Sequence, residues 1–159
     1  MKINLGCGTD ILEGYINYDL QNPQADILGD ATSLPFQDNS MDEIFSSHLL
    51  EHFDYFEAHR ALIEWRRVLR PEGLLILELP NLLELCRSFV SNPTYNGGPI
   101  IGIYGFPWLN GHTHKMGYSP DQLTWTLKCQ GFKDIVMMPT TRYIGWGNLC
   151  MRFEAKKDA

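Results

Sequence analysis

Two glycines and two acidic residues near the start of the chain stand directly after predicted strands, where they could contact a ligand. Gly6 and Gly8 flank Cys7, and glycine lets a ligand approach the backbone closely because it has no side chain. Asp19 could accept hydrogen bonds from two ribose hydroxyls, and Asp30 could accept one from an adenine amino group. A Gly-x-Gly pair alone is also common in plain tight turns. Two acids at successive strand ends favour a nucleoside site.

A second group of chemically useful side chains forms the segment His48-Leu49-Leu50-Glu51-His52. It matches the H-x-x-E-H pattern of inverted zinc proteases. On a helix, histidines four residues apart share one face and could bind zinc, with Glu51 as general base. A third ligand would be needed, and the sequence marks none. A zinc hydrolase that uses His48, Glu51 and His52 therefore stays open as an alternative.

A third group, His112 and His114, lies in the long segment 91–118, which is rich in glycine, proline and aromatic residues. Its aromatic residues include Tyr95, Tyr104, Phe106, Trp108 and Tyr118. Structureless segments of this length are usually lids or binding loops, so we expect this one over the reactive end of the sheet. His114 is then predicted to be the catalytic general base for an acceptor hydroxyl or amine. A hydrogen-bonded loop histidine is the alternative.

Short strands that alternate with helices must position these groups. The predicted strands are residues 3–5, 16–20, 26–29, 43–47, 74–79, 135–138 and 148–153. The predicted helices follow the N-cap residues Asp54, Asn81 and Ser119. This order predicts an α/β fold, a doubly wound, seven-strand Rossmann-like sheet. Residues 9–15 are too few for the usual crossover helix, so the first crossover is predicted to be shortened.

A nicotinamide dinucleotide fits this pattern badly. The fingerprint G-x-G-x-x-G would need glycine at the position of Ile11, and its acidic residue lies about 20 residues further on, whereas Asp19 comes much sooner. A shortened crossover also supplies no helix N-terminus for a pyrophosphate. We therefore expect a nucleoside ligand without phosphates.

The ordered motifs of the first half resemble the class I S-adenosylmethionine-dependent methyltransferases, in the small-molecule, methyltransferase type 11-like branch. The motifs are Leu5-Gly6-Cys7-Gly8-Thr9, Asn17-Tyr18-Asp19-Leu20, the runs 29–36 and 38–44, Leu50-Glu51-His52, and the run 67–73. The resemblance covers roughly residues 2–80, and a weaker one covers 114–119 and 131–132. It implies a Rossmann-like methyltransferase sheet, S-adenosylmethionine as the methyl donor and S-adenosylhomocysteine as the product.

The resemblance also implies which residues bind the cofactor. They are Gly6, Cys7, Gly8, Asp19, Leu20, Asp30, Ala31, Ser47 and His48. Gly6 and Gly8 would contact the methionine part through the backbone, Asp19 the ribose, and Asp30 with Ala31 the adenine. Ser47 and His48 would lie under the sulfonium and its methyl group. The acceptor is expected to be a small molecule, and no metal is implied.

Composition and charge narrow the domain organisation, the partners and the location that the sequence allows. The 159 residues suit one domain, predicted over 1–159 with 91–118 as a substrate-side loop or lid. Because 13 Lys and Arg face 19 Asp and Glu without a basic block, nucleic acid is not an expected partner. Glu78 interrupts the longest aliphatic run, so no membrane partner is expected either. Scattered cysteines without a signal peptide predict the cytoplasm. A homodimer is compatible with the sequence, as is a nucleoside-binding module without catalysis.

Overall fold

A seven-stranded mixed sheet organises the computed structural model, which describes residues 1–93, 97–109, 111–140 and 148–158. The strands are β1 (Lys2–Leu5), β2 (Ile16–Asp19), β3 (Ile27–Leu28), β4 (Met41–Ser47), β5 (Leu69–Pro80), β6 (Phe132–Met138) and β7 (Cys150–Lys157). Their order in the sheet is β3-β2-β1-β4-β5-β7-β6. The first five strands are parallel, and β7 runs antiparallel to both of its neighbours. The predicted fold class is confirmed.

Three of the four described helices begin at the N-caps that the sequence predicts, and α3 is the exception. They are α1 (Tyr55–Val68), α2 (Leu82–Ser91), α3 (Gly98–Tyr104) and α4 (Pro120–Cys129), and a 3₁₀ turn covers Leu50–His52. Asp54 and Glu57 form a reciprocal capping box at α1, while Asn81 and Ser119 cap α2 and α4 through their side-chain oxygens. Within the described part of the chain, no helix has the length and apolar character needed to cross a bilayer.

Helix α1 supplies the largest side chain of the core. Leu62, Trp65 and Val68 are fully buried on one face of the helix, as its 3.6-residue period predicts. The indole Nε1 of Trp65 donates a hydrogen bond of 2.8 Å to the carbonyl oxygen of Ala31. This bond satisfies the polar atom of a buried indole and fixes the backbone just after β3.

The first crossover is shortened, as predicted, because residues 9–15 form turns instead of a helix. Two buried asparagines hold this segment. The amide of Asn4 donates to the carbonyl of Asp10 at 2.8 Å, and the amide of Asn17 both accepts from the N–H of Leu12 and donates to its carbonyl. These side chains therefore satisfy backbone groups that a helix would have paired internally.

The prediction that 91–118 lacks structure is wrong in part, because α2 extends to Ser91 and α3 lies inside the segment. Gly98 and Gly102 lower the helical propensity of α3, which hides it from a periodicity argument. β3 is shorter than predicted, β5 and β6 are longer, and β7 is shifted towards the C-terminus. Tyr95 and residues 141–147, between the last two predicted strands, lie outside the described residues.

Candidate functional site

The turn after β1 exposes backbone at the carboxyl end of the sheet. Gly6 and Gly8 have φ angles of 64° and 50°, a region that glycine adopts without steric cost. A side chain at Gly6 would meet Leu49 at 2.9 Å, whereas one at Gly8 would meet nothing within 4 Å. Gly6 is therefore required by packing, and Gly8 leaves open space beside the backbone for a ligand.

Asp19 ends β2 and is held by three backbone donors. Its Oδ2 accepts from the N–H of Gly8 at 2.8 Å, and its Oδ1 accepts from Gln21 and Asn22 at 2.8 and 2.9 Å. Burial raises the pKa of Asp19, but these hydrogen bonds outweigh it and keep the pKa below its usual value. Asp19 is thus an ionised acceptor with a fixed orientation. By lone-pair count, it has capacity for about one further short hydrogen bond.

Asp30 follows β3 and is exposed, in keeping with a ligand-facing role. Its Oδ1 accepts from the backbone N–H and the hydroxyl of Thr32, both at 2.8 Å, which orients the carboxylate. Nearby Leu20 has 63% of its surface exposed, an apolar side chain beside two acids. A flat, polar-edged group such as a nucleoside base matches this combination.

One cavity of about 1130 Å³ joins these strand ends to the second half of the chain. Most of the predicted site residues line it, namely Gly6, Cys7, Gly8, Asp19, Leu20, Asp30, Ser47, His48 and His114. Ala31 is predicted to line the site but is buried beside it, with its carbonyl bonded to Trp65. Ile101, Gly102 and Phe106 close the opposite side of the cavity. The cavity is large enough for a nucleoside cofactor together with a small acceptor.

His48 follows β4 in a left-handed backbone conformation, with φ of 52°. Its Nδ1 lies 3.0 Å from Oε1 of Glu51, and its Nε2 lies 3.9 Å from Sγ of Cys150 on β7. Burial lowers the pKa of His48, but the contacts with Cys150 and the Glu51 carboxylate raise it to about 9. The 3₁₀ turn begins only at Leu50, so His48 and His52 do not share the face of one helix. The histidine pair of the zinc-hydrolase alternative is therefore not formed as predicted.

The other end of the cavity is lined by two histidine rings, beside the buried side chain of Glu51. The ring of His52 packs edge-on against that of His114, with centroids 4.9 Å apart. Nε2 of His114 lies 4.0 Å from Oε1 of Glu51, and its Nδ1 contacts the carbonyl of Gly102 at 3.0 Å. Burial is the main cause that lowers the pKa of His114 below its usual value, so its imidazole is neutral at pH 7. His112 is exposed, with its ring centroid 6.3 Å from that of His52.

The role of Glu51 in this cluster is missed by sequence reasoning, which weighs it only as a zinc-protease base. Glu51 is 1% exposed, and its carbonyl accepts from the backbone N–H groups of Lys115 and Met116 at 2.8 and 3.1 Å. These bonds bring His114 to Glu51 across a long stretch of sequence. Both motifs are visible in the sequence, but only the fold connects them.

Glycines and acids at consecutive strand ends of a doubly wound sheet define a Rossmann-like, nucleoside-binding protein. Residues 4–77 match the family described as "Methyltransferase domain". The demethylmenaquinone methyltransferase of Thermotoga maritima is 33% identical over 117 residues, which cover 67% of this chain and 49% of that protein. The chain is thus similar to S-adenosylmethionine-dependent methyltransferases. It spans about half the length of this curated relative.

Solved structures show the same fold over nearly the whole chain. A SAM-dependent methyltransferase from Archaeoglobus fulgidus superposes with a TM-score of 0.69 at 17% identity, covering 98% of this chain and 85% of that one. The 1,6-didemethyltoxoflavin-N1-methyltransferase of Burkholderia thailandensis gives 0.68 at 13% identity, covering 99% and 71%. That structure contains its 1,6-didemethyltoxoflavin and S-adenosylhomocysteine.

Proposed function

We propose that this chain transfers a methyl group from S-adenosylmethionine to a small-molecule acceptor and releases S-adenosylhomocysteine. The continuous cavity carries this proposal, because it extends from the strand ends at Gly6 and Asp30 to a second part, the acceptor chamber, which is lined by His52 and His114. A binding module would need only the first part. The methyltransferases from Burkholderia and Thermotoga, whose names specify small acceptors, support the same substrate class.

The residues at the strand ends fit the cofactor. Gly6 and Gly8 present backbone, Asp19 presents an ionised acceptor to the ribose, and Asp30 with Leu20 faces the adenine. The cofactor supplies an activated methyl group on a sulfonium, so the chain needs chiefly to align the acceptor and exclude water. Ile101, Gly102, Phe106 and residues 111–115 line this part of the cavity, and Nε2 of the predicted base His114 lies 4.0 Å from Oε1 of Glu51.

The proposal is tested with isotope-labelled S-adenosylmethionine and a cell extract that is separated into small molecules, protein and nucleic acid. We expect label in the small-molecule fraction, and its loss with an Asp19→Ala variant. Label confined to protein or nucleic acid would contradict the acceptor class. Binding of S-adenosylhomocysteine without transfer to any fraction would instead support the non-catalytic module.

A further inference from the structure

We propose that Glu51, His52 and His114 form a binding site for one divalent transition-metal cation at the acceptor end of the cavity. One ligand atom from each of these residues lies within 4.8 Å of the other two. His52 and His114 both line the cavity, so a cation held here would face the acceptor chamber.

The donor set suits a first-row transition cation. Two imidazoles and one carboxylate are borderline ligands that bind Zn²⁺, Co²⁺ or Fe²⁺ in preference to Mg²⁺ or Ca²⁺, which favour oxygen donors. Three protein ligands also leave coordination positions for water or for an oxygen of a substrate, as in catalytic metal sites. The chemistry of this set therefore points to a reactive site.

Backbone carbonyls orient both imidazoles for such a role. Nδ1 of His52 lies 3.0 Å from the carbonyl oxygen of Thr113, and Nδ1 of His114 lies 3.0 Å from that of Gly102. A carbonyl can only accept, so each Nδ1 carries the proton and each Nε2 keeps its lone pair. Metal-binding histidines are typically fixed in this way by an acceptor on the other ring nitrogen.

The electrostatics of Glu51 favour a cation as well. Its side chain is 1% exposed, and among the described residues no hydrogen bond reaches Oε2, whereas Oε1 contacts Nδ1 of His48. Nδ1 of His48 at 3.0 Å from Oε1 offsets part of the buried charge. Oε1 also faces Nε2 of His114 at 4.0 Å, two electron-rich atoms directed at one another. A cation between them would turn this repulsion into two bonds.

The ligand atoms must move closer together to hold one ion. Ligand atoms about 2.1 Å from a tetrahedral ion lie about 3.4 Å apart. The separation of 4.0 Å between Glu51 and His114 leaves about 0.6 Å to close, and the 4.8 Å bound on the set leaves at most about 1.4 Å, a distance within reach of side-chain rotation. The bonds from Lys115 and Met116 to the Glu51 carbonyl hold both ligand segments in one frame.

The role of the cation rests on the proposed function. It narrows the proposed class of methyl acceptors to molecules with an oxygen that can coordinate the metal. Coordination would lower the pKa of an acceptor hydroxyl, which then loses its proton to water. That oxygen would form the new O–C bond while the S–C bond breaks and its electron pair passes to sulfur. Nε2 of His114 cannot bind a metal and act as general base at once, so this role replaces the predicted one.

The site is tested with untagged protein, freed of metal by a chelator and titrated with Co²⁺ and Zn²⁺ in the absence of cofactor. We expect the protein to bind one equivalent of either ion. The Co²⁺ complex should show a visible absorption spectrum typical of nitrogen and oxygen ligands. Glu51→Gln, His52→Gln and His114→Gln should each weaken metal binding. The expected loss is at least as large as that caused by removing an outer-shell partner, which is about 10–100-fold. His59→Gln is the matched control, because His59 contacts Gln130 away from the cavity, and it should bind like the wild type.

Failure of the wild-type protein to take up either ion would overturn the metal site, and so would equal binding by the three ligand variants. Circular dichroism of each variant identifies any loss of fold. Calorimetry with S-adenosylhomocysteine, run on the metal-free protein, tests the proposed function separately. Lost cofactor binding with intact metal binding would contradict the methyltransferase proposal alone.

Discussion

At the scale of single residues, Asp19 has two tasks that one substitution removes together. Its carboxylate orders the backbone of Gly8, Gln21 and Asn22, and it is the proposed acceptor for the ribose. The site and the turn around it are therefore energetically linked. Any test of Asp19 must separate lost contacts with the ligand from a loosened turn.

Asp19→Ala should weaken binding of S-adenosylhomocysteine by at least about tenfold, because a hydrogen bond to a charged group contributes roughly 1.5–3 kcal/mol. Calorimetry gives the affinity, and thermal unfolding reports the state of the turn. Asp121→Ala, in the first turn of α4, is the control and should leave the affinity unchanged. Unchanged affinity in a folded Asp19→Ala protein would remove Asp19 from the site.

Asp30 separates these two effects more cleanly, since the hydrogen bonds of its side chain stay within its own turn. Asp30→Asn keeps the shape of the side chain but replaces one acceptor oxygen with a donor. We expect the affinity for S-adenosylhomocysteine to fall while the melting temperature of the free protein barely changes. A melting temperature lower by many degrees, with affinity intact, would show that Asp30 is only a turn residue.

At the scale of elements, Arg67 fastens the segment between β3 and β4 to helix α1. Its guanidinium donates to the carbonyls of Leu34 and Phe36 at 3.1 and 2.8 Å, and to both carboxylate oxygens of Glu64. Glu64 in turn accepts from the N–H of Leu34 at 2.7 Å. The same segment begins at the proposed adenine contacts, so this network positions one side of the site.

Arg67→Ala should lower the free energy of unfolding by about 2–3 kcal/mol, measured by denaturant titration, because several partly buried acceptors lose a charged donor. Arg70→Ala removes an exposed pair with Asp42 and should leave the free energy of unfolding nearly unchanged. Equal effects of the two variants would contradict a structural role for Arg67.

The stabilisation from this network should also depend on pH. The Arg67 contact, with a smaller contribution from the Leu34 N–H, keeps the pKa of Glu64 below its usual value. A carboxyl group with a lowered folded-state pKa stabilises the fold above its unfolded pKa of about 4.3, and this contribution is lost as the pH falls through the folded value. Glu64→Gln should therefore lose less stability than the wild type on acidification across this range.

Elements were predictable where local signals act. Capping side chains and the 3.6-residue period mark α1 and α4, because those signals lie within a few residues of one another. Helix α3 was not predictable, because it is glycine-rich and lacks a capping side chain; its packing against α2, with Gly102 close to Leu85, stabilises it instead. At the two ends of the longer β5, Leu69 pairs with Met41 of β4 and Pro80 pairs with Cys150 of β7.

At the scale of the whole molecule, the two halves of the site differ in how far the sequence reveals them. Gly6, Gly8, Asp19 and Asp30 follow consecutive parallel strands, so their meeting at one sheet edge follows from topology alone. The meeting of Glu51 with His114 depends on how residues 111–118 return to the 3₁₀ turn. No local sequence pattern encodes that long-range contact, so the acceptor chamber could not be predicted from the sequence and is seen only in the structure.

We expect the acceptor side to close when the cofactor binds. Phe106 and Trp108 are exposed apolar residues, and Gly105 and Gly111 beside them have positive φ angles that permit rearrangement. Hydrogen exchange of residues 105–109 and 111–113 should slow by about tenfold or more with S-adenosylhomocysteine, while α1 serves as the internal control. Equal exchange with and without S-adenosylhomocysteine would contradict closure and indicate that this segment is a rigid insertion.

The position of β7 has a consequence for biosynthesis. β6 is made before β7, yet β7 lies between β5 and β6 and pairs with both. During synthesis, β6 therefore leaves the ribosome before β7, the strand with which it pairs. The edge of β5 that pairs with β7 also stays unpaired until β7 emerges. Cys150, the first residue of β7, contacts His48. The cavity wall at His48 is therefore completed only once that late strand has inserted, after the strands that precede Gly6 and Asp30 have already left the exit tunnel.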